Sequence, residues 1–345
     1  MKSLFFGCAT IVGSIFMMVN SSSAGTITFG SGANQFNMEF VTIGNPGNTA
    51  DNTGIPSPAG SVGYSYGIAK YEVSRDMITK YNVNFGNANF LTISMENMVD
   101  YGGSGPDQPA TWVSWSEAAR FVNWLNTSKN LPAAYKFPQN SGANNDILLW
   151  DPLLDPLDYN EKNPYRSKRA TFVLPSYNEW YKAAYYDPNK NGGVGGYWKY
   201  ATKSDTLPVP VASGDGTGIN GNNEAVFSQL PSDLAKVNKS GGLSAFGVMG
   251  LEGNVWEWEE SSGDLMNTNP AAFRGVRGGR WDQGPENLSS SVRLVVPNNE
   301  YLSVGFRVAM VTPTGGEVPE PTSMAIFGLG ALGLAYRSRG KRKRG

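Results

Sequence analysis

Alternation of apolar and polar residues is clearest early in the chain. Phe36, Met38, Phe40 and Thr42 recur with period two, which predicts a strand. Residues 25–70 alternate in this way between Gly, Asn and Pro breaks, and residues 64–73 carry a second strand-like run. Ser74 then stands where it can cap a short helix bearing Met77, Ile78 and Tyr81. The clearest helix begins at Ser114. Ser114 and Glu117 have the spacing of a capping box, and Ala118, Phe121, Val122 and Leu125 follow on one face at helical spacing. A second capping box, Ser176 with Glu179, opens a helix bearing Trp180, Ala183 and Ala184. The aromatic residues of both helices read as core, not as a cofactor pocket. Residues 127–169 and 187–244 read as loops, the second rich in Gly and Asn.

The pattern changes at residues 246–258, around which the rest is organised. Gly247, Gly250 and Gly253 recur every three residues, so the backbone must turn tightly or approach something closely. Val255, Trp256 and Trp258 then predict a strand with both tryptophans on one face. Glu257 falls on the other face. A carboxylate between two tryptophans needs a cation, a metal or backbone N–H groups as partner, unless it is simply solvated.

The termini carry a different pattern. Residues 1–24 read as a secretory signal, with Lys2, an apolar run over 4–19 and Ser22-Ser23-Ala24 as a small-residue cleavage site. Residues 25–312 form the expected folded domain. Residues 313–345 read as a linker and tail: Val318-Pro319-Glu320-Pro321, an apolar run over 324–336 and a basic end over 337–345. As a helix the run would reach about 20 Å, short of a bilayer's hydrocarbon core of roughly 30 Å.

Composition narrows the chemistry. The chain has 345 residues, 40% of them hydrophobic, which suffices for a core, while 42 glycines and 21 prolines favour turns and loops over long helices. Cys8, inside the predicted signal, is the only cysteine, and there is no histidine. Zinc, copper and iron sites of the usual kind, and His-dependent triads, are therefore not expected, which leaves calcium as the natural metal. Setting aside Lys2 and the tail, the middle of the chain carries an excess of about six acidic residues over basic ones. That argues against a nucleic-acid partner. There is no Walker-type phosphate loop and no internal repeat.

Five motifs in collinear order carry a resemblance. Gly253-Asn254-Val255-Trp256-Glu257-Trp258, Arg277-Gly278-Gly279-Arg280-Trp281 and Gly305-Phe306-Arg307 resemble the sulfatase-modifying-factor, or formylglycine-generating enzyme, family. Pro109-Ala110-Thr111-Trp112-Val113-Ser114-Trp115 and Leu174-Pro175-Ser176-Tyr177-Asn178-Glu179-Trp180 are similar to two further segments of it. The tail resembles a PEP-CTERM sorting signal, which implies recognition by an exosortase-type sorting protease after passage through the secretion machinery. The tail is then either removed or retained as a membrane anchor.

The family resemblance implies a loop-rich α+β fold, a variant of the C-type lectin fold, with bound calcium. It also implies two copper-binding cysteines after the Gly-Gly segment. By spacing these fall near Gln283 and Leu288, neither a cysteine. The calcium set carried across by the resemblance is Gly253, Val255 and Glu257. Gly250 lacks a side-chain ligand common in the family, and Glu252 is the candidate substitute. The leading expectation is an exported non-catalytic module at the cell envelope or in the extracellular matrix. It would bind a glycan or an envelope protein through Arg280, Trp281 and Arg293, whose aromatic face and guanidinium groups suit sugars and carboxylates. The alternatives are an enzyme using carboxylates such as Glu257, Asp264 or Asp282, and a structural matrix component.

Overall fold

The computed structural model describes residues 25–143, 145–211, 223–228 and 233–313. The expected export signal and sorting tail lie outside the described residues. The strands are β1 (Gly25–Phe29), β2 (Phe36–Ile43), β3 (Tyr66–Ala69), β4 (Phe172–Val173), β5 (Tyr186–Asp187), β6 (Gly196–Tyr197), β7 (Val209–Pro210), β8 (Glu224–Ala225), β9 (Trp256–Ser262), β10 (Arg274–Arg277), β11 (Leu294–Val296), β12 (Val304–Gly305) and β13 (Ala309–Met310). Five of them form an antiparallel sheet in the order β1-β2-β3-β13-β4. Four form a second sheet, β11-β10-β9-β12, in which β12 runs parallel to β9. The remaining four make two small two-stranded pairs, β5-β6 and β7-β8.

The period-two reading of β2 holds. Phe36, Met38 and Phe40 are buried while Asn37 is exposed. Helix α1 (Arg75–Tyr81) starts at Ser74, whose hydroxyl accepts from the Met77 N–H at 3.4 Å. Helices α2 (Trp115–Thr127) and α3 (Tyr177–Tyr185) each begin with a complete capping box, Ser114–Glu117 and Ser176–Glu179. Phe121 and Trp124 of α2 pack against Phe36 of β2 and Tyr81 of α1, with ring centroids 5.4–6.2 Å apart. Phe306, beside β12, meets Phe121 edge-on at 5.6 Å. This aromatic cluster joins the two sheets across α2.

Most strands outside β1, β2 and β9 are two to four residues long. Long connections fill the space between them, as the Gly and Pro content foretells. The arrangement is the α+β, C-type-lectin-like fold expected from the motifs. It places β9 at the centre of its sheet, with every one of its seven residues buried.

Candidate functional site

The sequence of β9, Trp-Glu-Trp-Glu-Glu-Ser-Ser, carries three carboxylates into the core. Each has an arginine partner. Glu257 lies opposite Arg277 in the β9–β10 register and beside Gly305 of β12. Its carboxylate takes two hydrogen bonds from the Arg307 guanidinium, one at 2.6 Å from Nε, and a third from Trp180 Nε1 at 2.7 Å. Arg307 spends its remaining donors on the carbonyls of Ala69 and Met249, at 2.9 and 3.0 Å. Glu259 is shared by Arg277 and Arg293, at 2.6 and 2.8 Å. Glu260 accepts from Arg166 at 2.8 Å and from Tyr135 at 2.8 Å. Arg166 also grips Glu179 with two hydrogen bonds of 2.9 Å. Burial alone would raise the Glu179 carboxyl, but the Arg166 charge and hydrogen bonds from Arg166, Tyr64 and Ser176 outweigh it and bring it down to about 2.

Glu72 is the carboxylate that the sequence reading missed. It is 1% exposed and lies against the glycine-rich turn before β9. A Cβ on Gly250 (φ +73°) would come within 3.1 Å of Glu72 Oε2, so the small residue makes room for this carboxylate. Asn254 Nδ2 donates to both Glu72 oxygens at 3.0 Å, while Asn254 Oδ1 accepts from the Ala235 N–H at 2.9 Å. Asn254 itself has φ +59°, a left-handed conformation that Asn tolerates better than most residues. Its N–H donates to Val226 O and its carbonyl accepts from the Trp281 N–H, at 2.8 and 3.0 Å. Burial and then the neighbouring Glu257 charge push the Glu72 carboxyl well up, with Arg307 opposing them. One asparagine thus ties together β9, the 226 and 235 loops and the segment after β10.

The Glu257 carboxylate, expected as a calcium ligand, is already engaged by N–H donors. A hard cation needs six to eight oxygens, whereas N–H donors of Arg307 and Trp180 already cap Glu257 and those of Asn254 cap Glu72. Gly253 is held through its N–H to Gly278 O at 2.7 Å. The Val255 N–H donates to Glu72. Glu252, the expected substitute ligand, accepts from the Ala201 N–H and from Thr202 Oγ1, and burial raises its carboxyl. Among the described residues no group of three or more His, Cys, Asp or Glu side chains comes together. The sequence argument for a cation was that Glu257 needs a counter-charge, and Arg307 is that counter-charge.

The expected ligand groove is also corrected. Trp281 is 1% exposed and packs edge-on against Tyr101 at 5.9 Å, in a cluster with Met98, Val226, Leu234 and Val255. The Arg293 side chain is 4% exposed and bonded to Glu259 and to the carbonyls of Ser262 and Gly263. Arg280 alone of the three reaches the surface, where it pairs with Asp282 at 2.6 Å and donates to Ser303 Oγ at 2.8 Å. Asp264 accepts from Ser262 Oγ in an exposed turn. Glu257, Asp264 and Asp282 therefore each have separate partners. The positions expected for the cysteines are filled as well. Leu288 is fully buried with Tyr200, Ala225 and Phe227, and the Gln283 amide oxygen accepts from Trp256 Nε1 at 3.0 Å.

Comparison with known proteins agrees with this architecture. Among solved structures, CarF superposes with a TM-score of 0.52 and 20% identity, over 79% of this chain and 98% of that one. The variable protein 1 of Treponema denticola gives 0.51 and 17%, over 83% and 98%. At these identities the likeness shows the fold alone. None of the curated proteins matches the chain. The PEP-CTERM protein-sorting motif matches residues 317–342. It is a motif that implies recognition by exosortase-type processing machinery, and it supports export and association with the envelope. Among the described residues no helix is long and apolar enough to cross a membrane. The profile of the sulfatase-modifying factor enzyme 1-like domain matches residues 23–312, the five motifs and the whole described fold included, and the chain belongs to that family.

Proposed function

We propose that the protein is a non-catalytic binding module, exported and held at the cell envelope. The observation that carries this reading is the filling of the reaction centre. Where the resemblance places two cysteines, Leu288 is sealed in an apolar cluster and Gln283 is engaged by Trp256. The rest of the chain supplies no replacement, since residues 9–345 contain neither Cys nor His. The three carboxylates of β9 are each paired with an arginine, so none of them is free to act on a substrate. A scaffold that is intact around a filled centre suits recognition better than turnover.

The test is an assay with a sulfatase-type cysteine peptide, copper and oxygen. Loss of peptide thiol at the rate of a boiled control is the expected result. Turnover clearly above that control would sink the reading.

A further inference from the structure

A cleft of about 300 Å³ opens between the Asp51 loop, the segment after β6 and residues 290–291. It lies away from the Glu257 cluster, and its lining is of a different kind. Its floor is Asp51, 8% exposed. Asp51 Oδ1 accepts from the N–H and hydroxyl of Thr53 at 2.8 and 2.7 Å, and Oδ2 accepts from the Tyr181 hydroxyl at 2.6 Å. A carboxylate has about four acceptor sites, so this floor keeps acceptor capacity toward the cleft. Ser291 shares one hydrogen bond of 2.8 Å with Ser289, which leaves its hydroxyl a further valence.

The walls are aromatic and fixed at their polar ends. The Tyr197 hydroxyl is held by Asn48 at 2.7 Å and Thr49 O at 2.9 Å, and Trp198 Nε1 by Asp187 at 3.1 Å. The Lys190 ammonium sits 3.7 Å from the Trp198 ring centre and so covers part of that ring. Lys190 also binds both oxygens of Asp205, at 3.1 and 2.9 Å, while Lys199 donates its backbone N–H to the same carboxylate.

Charge decides the ligand class. Of the lining carboxylates, Asp205 is paired with Lys190 from beside the cleft, and Asp51 and Lys199 then leave one charge of each sign in the lining. An anion would face Asp51 on the floor, and a cation would face the lysines. A purely apolar ligand would leave the remaining acceptor site of Asp51 and the second valence of the Ser291 hydroxyl unused. What fits is a neutral molecule with many hydroxyls and one apolar face to lie on an aromatic ring. The volume stands at the low end of the range for small-molecule sites, which suits one sugar ring rather than a chain of them.

We propose that this cleft is a carbohydrate subsite that takes a single neutral pyranose unit of an envelope glycan, with Trp198 as platform and Asp51 and Ser291 as hydroxyl partners. The proposal rests on the reading of the protein as a binding module. It is tested on the full chain by calorimetric titration with the methyl glycosides of glucose, galactose, mannose and N-acetylglucosamine, and with methyl glucuronate as an anionic comparator. At least one neutral glycoside is expected to bind. Trp198→Ala is expected to weaken it about tenfold or more, the loss of an aromatic contact, and Ser291→Ala about twofold to fivefold, the loss of a hydrogen bond. Lys162→Ala, at an exposed residue that is not among those lining the cleft, should leave the affinity unchanged. Ser291 is exposed, so its variant folds even if the loss of Trp198 disturbs the loop. Failure of every neutral glycoside to bind, binding of glucuronate alone, or binding indifferent to both cleft variants would each overturn the subsite. The non-catalytic reading would survive those results, because only turnover in the cysteine-peptide assay removes it.

Discussion

Replacing Arg307 by Met removes the counter-charge of Glu257 and should be among the most damaging single changes in the chain. Arg307 is fully buried and makes two hydrogen bonds to Glu257 and two to the carbonyls of Ala69 and Met249. Its loss leaves a buried carboxylate held by Trp180 alone, beside a second buried carboxylate, Glu72. Breaking a buried pair by removing one partner costs about 3–5 kcal/mol. In a domain of this size each kcal/mol moves the thermal midpoint by roughly 2 °C, so a fall of roughly 6–10 °C follows. Adding Glu257→Gln to Arg307→Met removes the orphaned charge. The double variant should therefore recover part of the loss, with a coupling of about 2 kcal/mol.

Thermal unfolding in millimolar calcium and in chelator provides the decisive comparison. With Arg307 as the counter-charge, the wild-type midpoint should be the same in both. A calcium-dependent rise in wild type that disappears in Glu257→Gln would show that a cation binds there after all. A cost for Arg307→Met below about 1 kcal/mol would refute the pair's importance directly.

Three further outcomes follow from the same geometry. Asn254→Ala loses the bonds to Glu72 and Ala235 and places Ala at φ +59°, so a cost of about 2–4 kcal/mol is expected in thermal unfolding; an unchanged midpoint would contradict the hub. Burial raises the Glu117 carboxyl from 4.5 to about 7 despite its bonds to Ser114, so between those pH values the unfolded chain is ionised while the folded one still holds its proton. Stability should therefore fall as pH rises through that window, by at most about 3 kcal/mol, and Glu117→Gln should abolish the fall; identical pH profiles for the two proteins would exclude the assignment. Deleting the basic end, residues 337–345, should release the protein or misplace it, as fractionation of cells would reveal, whereas unaltered envelope localisation would count against a sorting role for that end.

What was legible in the sequence is what is local. The capping boxes at Ser114 and Ser176 span three residues, and β2 is set by alternation along one strand, so both could be read without knowing the fold. The partners of the buried charges are not local. Arg307 lies 50 residues from Glu257, Arg166 lies 94 from Glu260, and Asn254 lies 182 from Glu72. No periodicity connects such positions, so the pairing roles of Glu72, Arg166 and Asn254 are not readable from the sequence, which shows only that Glu257 needs a partner. Trp281 and Arg293 misled for a related reason. An isolated Trp or Arg in a Gly-rich stretch gives no face by which core and surface can be told apart.

The ion pairs along β9 have a physical use that does not depend on their contributing net stability. A buried pair roughly breaks even against apolar residues of the same volume, so three of them in one strand are poor evidence of a gain in free energy. Their effect is on alternatives. The chain has strands of two residues, long connections and, with its single cysteine, no internal disulfide to hold the register. An apolar β9 could slip along β10 and still bury its side chains. With Glu257, Glu259 and Glu260 in place, a slip by one residue turns each carboxylate away from its arginine and strands both charges. The β9–β10 register already contains an irregularity between Arg274 and Val276, the kind of place where a second register would compete. On this argument the arginines of β10, of the segment following β12 and of the 166 loop select one alignment of the central strand. That alignment in turn fixes where the surrounding loops, those bordering the Asp51 cleft included, are held.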